Sequence, residues 1–172
     1  MILVLLGTQD KPFLRLLKMV SKEIDKGNIK EKVVAQTGYT TFSNEKITTF
    51  DFKSKDEIEK LIDKARIIIT HAGVGTITEC LEKGKKIIVV PRLKKYLEHT
   101  NDHQMQITKE FEMKGYVIAL YDNKRLSAAL EKIKTFKPKR YESNSENFKM
   151  KIKDYIDLSL IHISEPTRLR RI

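Results

Sequence analysis

The chain has 172 residues, of which 40% are hydrophobic and 33% charged, with a formal net charge of +11. That length suits one domain with a sizeable core, and a single cysteine, Cys80, excludes an internal disulfide and favours a reducing compartment. The apolar N-terminus has neither the basic start nor the small-residue cleavage site of a secretory leader. It is also far short of the ~20 residues of a membrane span. It therefore reads as a buried strand, and the chain as a soluble cytoplasmic protein whose membrane role is at most peripheral.

Residues 2–6 form a continuous apolar run closed by Gly7, the pattern of a strand buried on both faces. Phe13, Leu16, Leu17, Val20 and Ile24 then fall on one face of a helix. Asp10 is placed to cap this helix and Pro12 to sit in its first turn, and Gly27 and Asn28 end it. Residues 32–36 form a second strand closed by Gly38, and residues 47–50 a third. Ser54 and Glu57 have capping-box spacing ahead of Ile58, Leu61 and Ile62. Residues 67–70 make a fourth strand, broken by Gly73 and Gly75. A helix follows from about Thr76 to Lys83, with Gly84 as its stop. Residues 87–90 are a fifth strand closed by Pro91, and residues 92–101 a polar loop. Asp102 begins a helix that ends at Gly115, and residues 116–120 are a sixth strand. Leu126, Leu130 and Ile133 mark another helix, and Phe148, Ile152, Tyr155 and Ile156 a last one. Such alternation predicts an α/β fold with a doubly wound, mostly parallel sheet, and places ligands at the carboxyl ends of the strands.

The end of the chain is set apart. Residues 158–168 read LSLIHISEPTR, which looks like a translated transposase sequencing adapter. On that reading residues 1–157 are the domain and residues 158–172 are foreign. Discounting their net +2 leaves +9. Lysines are spread over every helix, with no zinc-finger or RNP-type pattern, so solvated helix faces account for the charge best. Attraction to an anionic cytoplasmic leaflet comes next, and a basic nucleic-acid-binding domain is the remaining alternative.

One segment stands out. His71-Ala72-Gly73-Val74-Gly75-Thr76-Ile77-Thr78-Glu79 follows the fourth strand and opens a helix. Glycines there let a backbone approach a ligand, and free N–H groups with the helix dipole attract phosphate. Thr76 can add a hydroxyl, His71 can donate to a phosphate oxygen, and Glu79 can grip ribose hydroxyls about one turn later. The same residues also fit a plain glycine turn with Glu79 on a solvated face and His71 packed at a strand end. Neither of the two best-known phosphate-loop patterns matches. His99 and His103 have an i, i+4 metal-ligand spacing with no third ligand evident, and Cys80 reads as a buried small hydrophobe. Arg92 either meets phosphate or lies at the surface, and Lys94, Lys95 and Tyr96 face a lipid headgroup or water.

HAGVGTITE, KIIVVPR and DHQ at residues 102–104 resemble the C-terminal domain of family 28 glycosyltransferases, over about residues 2–129. The nearest likeness is to the short soluble subunits of two-subunit transferases, of the capsule or exopolysaccharide type and the dolichol-diphosphate-GlcNAc type. The resemblance implies the C-terminal, Rossmann-like half of a GT-B fold. Gly7 and Thr8 would then face the donor diphosphate, with Gln36 and Gly38 nearby. His71, Gly73, Gly75 and Thr76 would hold phosphates and Glu79 the ribose. Asp102, His103 and Gln104 would meet the sugar hydroxyls. The loop LLGTQD is shorter than the glycine-rich form of one-chain relatives, which favours a split enzyme. The implied reaction moves a hexose or N-acetylhexosamine from a UDP-sugar to a polyprenyl-diphosphate-linked sugar in polysaccharide biosynthesis. It would proceed with inversion and without metal or cofactor. A membrane-anchored partner would bind the acceptor, and no residue here is identified as the general base. A non-catalytic nucleotide-sugar-binding module and a UDP-sugar epimerase are the alternatives.

Overall fold

The computed structural model describes residues 1–121 and 125–141. The expected last helix and the adapter-like segment lie outside the described residues. The strands are β1 (Ile2–Leu5), β2 (Val33–Gln36), β3 (Ile47–Phe50), β4 (Ile67–Thr70), β5 (Lys86–Val89) and β6 (Ile118–Ala119). They interleave with α1 (Leu14–Asp25), α2 (Lys55–Lys64), α3 (Val74–Glu82), α4 (His103–Met113) and α5 (Leu126–Thr135). All pairings are parallel, in the order β3-β2-β1-β4-β5-β6. The chain direction across the sheet reverses between β1 and β4, which are neighbours, so their carboxyl ends flank the switch point.

Strands buried on both faces divide the core in two. Alternate residues of β1 show it: Ile2 and Val4 pack with Leu16, Leu17 and Val20 of α1 and Leu130 and Ile133 of α5. Leu3 and Leu5 pack with Ile62 of α2, Ile77 and Leu81 of α3, and Ile107 of α4. Helices α1 and α5 thus cover one side of the sheet, and α2, α3 and α4 the other.

Local signals act as the sequence predicts in several places. Ser54 and Glu57 form a complete capping box at α2. Gly27, Gly84 and Gly115 take positive φ just past α1, α3 and α4, the helix-stop conformation open to glycine. Three expectations change. Helix α1 begins at Leu14 with no side-chain cap, so Asp10 and Pro12 lie outside it. Its entry is fixed instead by the Phe13 N–H donating to Thr40 Oγ1 at 2.9 Å, with the phenyl ring fully buried. Strand β6 shortens to two residues at the sheet edge, although residues 117–120 stay buried. The stretch after β5 holds a 3-10 turn (Lys94–Tyr96) and buries Arg92, Leu93 and Glu98.

Candidate nucleotide-sugar site

At the switch point the loops after β1 and β4 close on the His71 ring, and the loop after β2 backs Gly7. Gly7 has φ +80°, and a Cβ there would lie 2.5 Å from Cε1 of His71. A Cβ on Gly73 would lie 2.3 Å from Nε2. The imidazole therefore occupies the room these two glycines leave. Gly38, at φ +55°, lies against the Gly7 carbonyl, 2.9 Å from where its own Cβ would be. The His71 N–H donates to Leu5 O, and Nδ1 lies 3.3 Å from the Thr70 hydroxyl. That hydroxyl donates to Leu5 O at 3.0 Å, and the tautomer with Nδ1 protonated lets the same oxygen accept from the ring, leaving Nε2 bare in the neutral form. Burial, then the nearby charges of Arg92 and His99, hold the His71 pKa at about 4, while the Leu5 contact opposes them.

Helix α3 starts beside this ring. Its N-cap is Gly73, and no side chain caps it, so the first-turn N–H groups have no intrahelical acceptor. A Cβ on exposed Gly75 would meet nothing within 4 Å. Thr76 and Glu79, both half-buried, lie three residues apart on one helix face. Oε1 of Glu79 is buried with no hydrogen-bond partner among the described residues. A buried, unsatisfied carboxylate oxygen costs about 1–3 kcal/mol or more, so it marks a place where a donor is missing. The next residue, Cys80, is buried, and desolvation followed by Glu79 pushes its thiol up to about 12. It is inert packing, as its position in the sequence suggests.

The loop after β5 is tied down from three directions. Oε1 of buried Gln104 accepts the N–H groups of Ala72 at 3.2 Å and Arg92 at 3.0 Å, joining the loops after β4 and β5. Arg92 is 1% exposed. Its guanidinium donates to the carbonyls of Leu6, Lys11 and Glu98 and lies 4.8 Å over the Phe13 ring. Its Nε has no partner among the described residues. Burial lowers its pKa to about 10, and Glu98 and Asp10 oppose that shift. Arg15 grips the buried Glu98 carboxylate with two bonds, at 2.9 and 2.8 Å, and also donates to Pro91 O.

Of the residues singled out from sequence, Gly7, Gly38, His71 and Gly73 meet directly, and Gln104 joins them through Ala72. Gln36 ends β2, buried, and its carbonyl accepts the Leu6 N–H. Thr8 is exposed on the β1 loop. Asp102 and His103 are exposed at the start of α4. Asp102 Oδ1 accepts the Lys94 N–H at 2.9 Å, and His103 Nδ1 lies 3.2 Å from Gln106 Oε1. His99 Nδ1 accepts the Asn101 N–H. Among the described residues no three His, Cys, Asp or Glu side chains gather as metal ligands. Arg92, expected to meet phosphate or lie at the surface, is instead buried on three backbone carbonyls, a placement that its position inside the apolar run IIVVPRL hints at. Sequence reasoning missed Glu98, Arg15 and Thr40.

The match to known proteins follows this geometry. The sequence model of the glycosyltransferase family 28 C-terminal domain matches residues 1–158. The chain belongs to that family. Its fold is that of the C-terminal, Rossmann-like half of GT-B glycosyltransferases: the calicheamicin glycosyltransferase CalG4 superposes with a TM-score of 0.56 at 15% identity, over 76% of this chain and 34% of that one. The human UDP-N-acetylglucosamine transferase subunit ALG13 is 37% identical over 76 residues, which cover 44% of this chain and 6% of that protein. A Geobacillus kaustophilus UDP-N-acetylglucosamine–N-acetylmuramyl-(pentapeptide) pyrophosphoryl-undecaprenol N-acetylglucosamine transferase is 28% identical over 148 residues. Those cover 84% of this chain and 37% of that one. This chain therefore spans well under half the length of either relative. An NMR solution structure of ALG13 superposes with a TM-score of 0.54 at 19% identity, covering 87% of this family 28 chain and 93% of that one.

Proposed function

We propose that this chain is the donor-binding subunit of a glycosyltransferase that uses UDP-N-acetylglucosamine. A polyprenyl-diphosphate-linked sugar is the acceptor. The observation that carries the reading is the pair of unmet needs on α3, uncapped N–H groups at its start and the orphaned Oε1 of Glu79. A nucleoside diphosphate answers both: phosphate oxygens accept from the helix N-terminus, and ribose hydroxyls donate to the carboxylate. The two curated relatives support the rest. Both are named for transfer of N-acetylglucosamine, one is named a subunit, and one is named for a pyrophosphoryl-undecaprenol acceptor.

In this reading Gly7, Thr8, His71, Gly73, Gly75 and Thr76 hold the diphosphate, with Gln36 and Gly38 shaping the floor. Asp102 and His103 reach the sugar. Gln104 contributes mainly by holding the β4 and β5 loops in register, because its oxygen is already committed to backbone. Transfer inverts the anomeric centre and needs no metal. The chain's share of catalysis is to position the donor and stabilise the leaving diphosphate. A membrane-associated partner brings the acceptor. The product serves lipid-linked glycan synthesis, and the undecaprenol acceptor in one relative's name accords with a polyprenyl-diphosphate-linked acceptor better than with a capsule-specific one.

Calorimetric titration of UDP tests the donor site. Saturable binding, weakened at least tenfold in Glu79→Ala, is expected; loss of even one ribose hydrogen bond to a charged acceptor is worth roughly 1.5–3 kcal/mol. Absence of saturation by millimolar UDP in a folded sample, or an unchanged Glu79→Ala, removes the reading.

A further inference from the structure

The two helix layers sort the chain's basic charge in a way that its even spread along the sequence conceals. On α1 and its C-cap, Arg15, Lys18, Lys22 and Lys26 recur at three- and four-residue spacing, opposite the buried Leu16, Leu17 and Val20. Two hollows run along this face and share Arg15, Met19 and Lys22. One reaches Pro12 and Tyr96, the other Arg125 at the start of α5. The carboxylates lining them, Glu23 and Glu98, are buried and already taken, Glu23 by Lys26 and Asn28 and Glu98 by Arg15. Lys18, Lys22 and Arg125 are exposed, and no carboxylate among the described residues opposes them along these hollows.

At one end of the face the 3-10 turn carries exposed Lys94 and Lys95, and Leu97 follows. Leu97 is 79% exposed and has φ 58°. The left-handed region is disfavoured for any residue with a Cβ, and no burial of the leucine compensates. The turn thus holds an apolar side chain out into solvent beside half-exposed Tyr96 and a ring of basic residues. That composition suits the headgroup boundary of a bilayer.

We propose that the α1 face, from Leu97 to Arg125, is a docking surface for an anionic lipid bilayer. Lys18, Lys22 and Arg125 lie over the headgroups, and Leu97 and Tyr96 enter the interfacial layer. Charge complementarity requires an anionic partner, and the apolar tip selects a bilayer over a duplex, whose phosphate backbone offers Leu97 nothing to enter. The face lies on the layer opposite α3, so the inference goes beyond the donor site and stands without it.

Flotation of the full chain with phosphatidylcholine vesicles, with and without phosphatidylglycerol, tests the proposal. Binding is expected only to the anionic vesicles and should fade as salt shortens the Debye length. Each basic residue near such a surface is worth about fivefold in partitioning, so the triple variant Lys18→Gln, Lys22→Gln, Arg125→Gln should lose about a hundredfold. The triple variant Lys55→Gln, Lys60→Gln, Lys64→Gln, on α2 in the opposite layer, makes the same change in net charge and should lose far less. Leu97→Gly relieves the backbone, keeps the fold and should still weaken binding several-fold. Three results overturn the proposal: no binding to anionic vesicles, equal losses in the two triple variants, or displacement of the vesicles by duplex DNA at lower concentration than lipid. UDP titration of the same variants should be unchanged, so failure here and failure of the donor-site reading are told apart.

Discussion

His71 has one proton to place, and its neighbours decide where. With Thr70 donating to Leu5 O, Nδ1 keeps the proton and Nε2 is bare. Donation from Nε2 to a diphosphate oxygen thus requires a second proton, which the ring resists down to a pKa of about 4 because of burial, Arg92 and His99. An arriving diphosphate favours the charged ring and raises that pKa. UDP binding near pH 6, between the free and the raised values, is expected to take up a proton, with affinity rising as pH falls towards 4. Calorimetry in two buffers of different ionisation enthalpy reads the uptake. His71→Asn supplies the baseline due to UDP itself, and equal uptake in both proteins means that the ring stays neutral. In the unliganded chain the linkage has its own sign. The folded ring binds fewer protons than the unfolded one, so its contribution is complete above about 6.5 and is lost as pH falls towards 4, by about 3 kcal/mol at most. Arg92 is a different kind of residue. Arg92→Met keeps an unbranched apolar side chain but loses the guanidinium over Phe13 and strands the carbonyls of Leu6, Lys11 and Glu98. Urea unfolding should show a loss of about 3 kcal/mol, with part restored in Arg92→Lys, which keeps one charged donor.

At the scale of elements, the turn from β4 into α3 uses two glycines for different ends. A Cβ on Gly73 collides with the His71 ring, whereas one on Gly75 enters open space within a helix. Gly75→Ala should therefore raise stability by about 0.5–1 kcal/mol. If the diphosphate rests against that backbone, the same substitution lowers UDP affinity at least tenfold. A variant that is both more stable and still binds UDP fully would mean that the helix N-terminus is not where the phosphates sit. Gly73→Ala cannot separate the two effects, because it moves the ring. These elements were legible to unequal degrees. Strands β1 to β5 end within a residue of expectation; for β1 and β4 this is because a strand buried on both faces is written as an apolar run, whereas β3, ITTF, is half-exposed and is marked by its β-branched residues. The α2 box was legible because both partners lie within one turn. The start of α1 was not, since its backbone anchor is Thr40, 27 residues away. The glycine turn and Glu79 were found from the pattern alone, but the space between Gly7 and Gly73 reads as room for a ligand until the imidazole is seen filling it. Arg92 and Glu98 stayed hidden because a charged residue after a strand looks the same in sequence whether it meets solvent or buried carbonyls.

At the scale of the whole domain, the described residues form a sheet with two unlike sides and one chemically busy edge. The α2–α4 layer carries the helix with an uncapped start and an unpartnered Glu79 oxygen, and the α1–α5 layer carries Lys18, Lys22 and Arg125, which no carboxylate among the described residues opposes along their hollows. At the carboxyl edge the loops after β1, β4 and β5 are locked together by Arg92, Gln104 and the Arg15–Glu98 pair. A donor site of this kind can be pre-formed in the chain alone, since its residues are held by buried hydrogen bonds rather than by a ligand. An acceptor that is amphipathic and membrane-bound needs a wall of different chemistry, and no helix among the described residues is long and apolar enough to cross a membrane. The expected outcome is a split between binding and turnover. The isolated chain should bind UDP with the affinity that it has in a complex, to within a few-fold. It should transfer N-acetylglucosamine from UDP-N-acetylglucosamine to a polyprenyl-diphosphate-linked sugar only when a membrane-associated partner is added. Titration and a radiolabelled transfer assay on the same preparation read the two halves separately. UDP affinity that appears only with the partner would place part of the donor site on the second protein. Full turnover by the isolated chain would put the acceptor wall on this one.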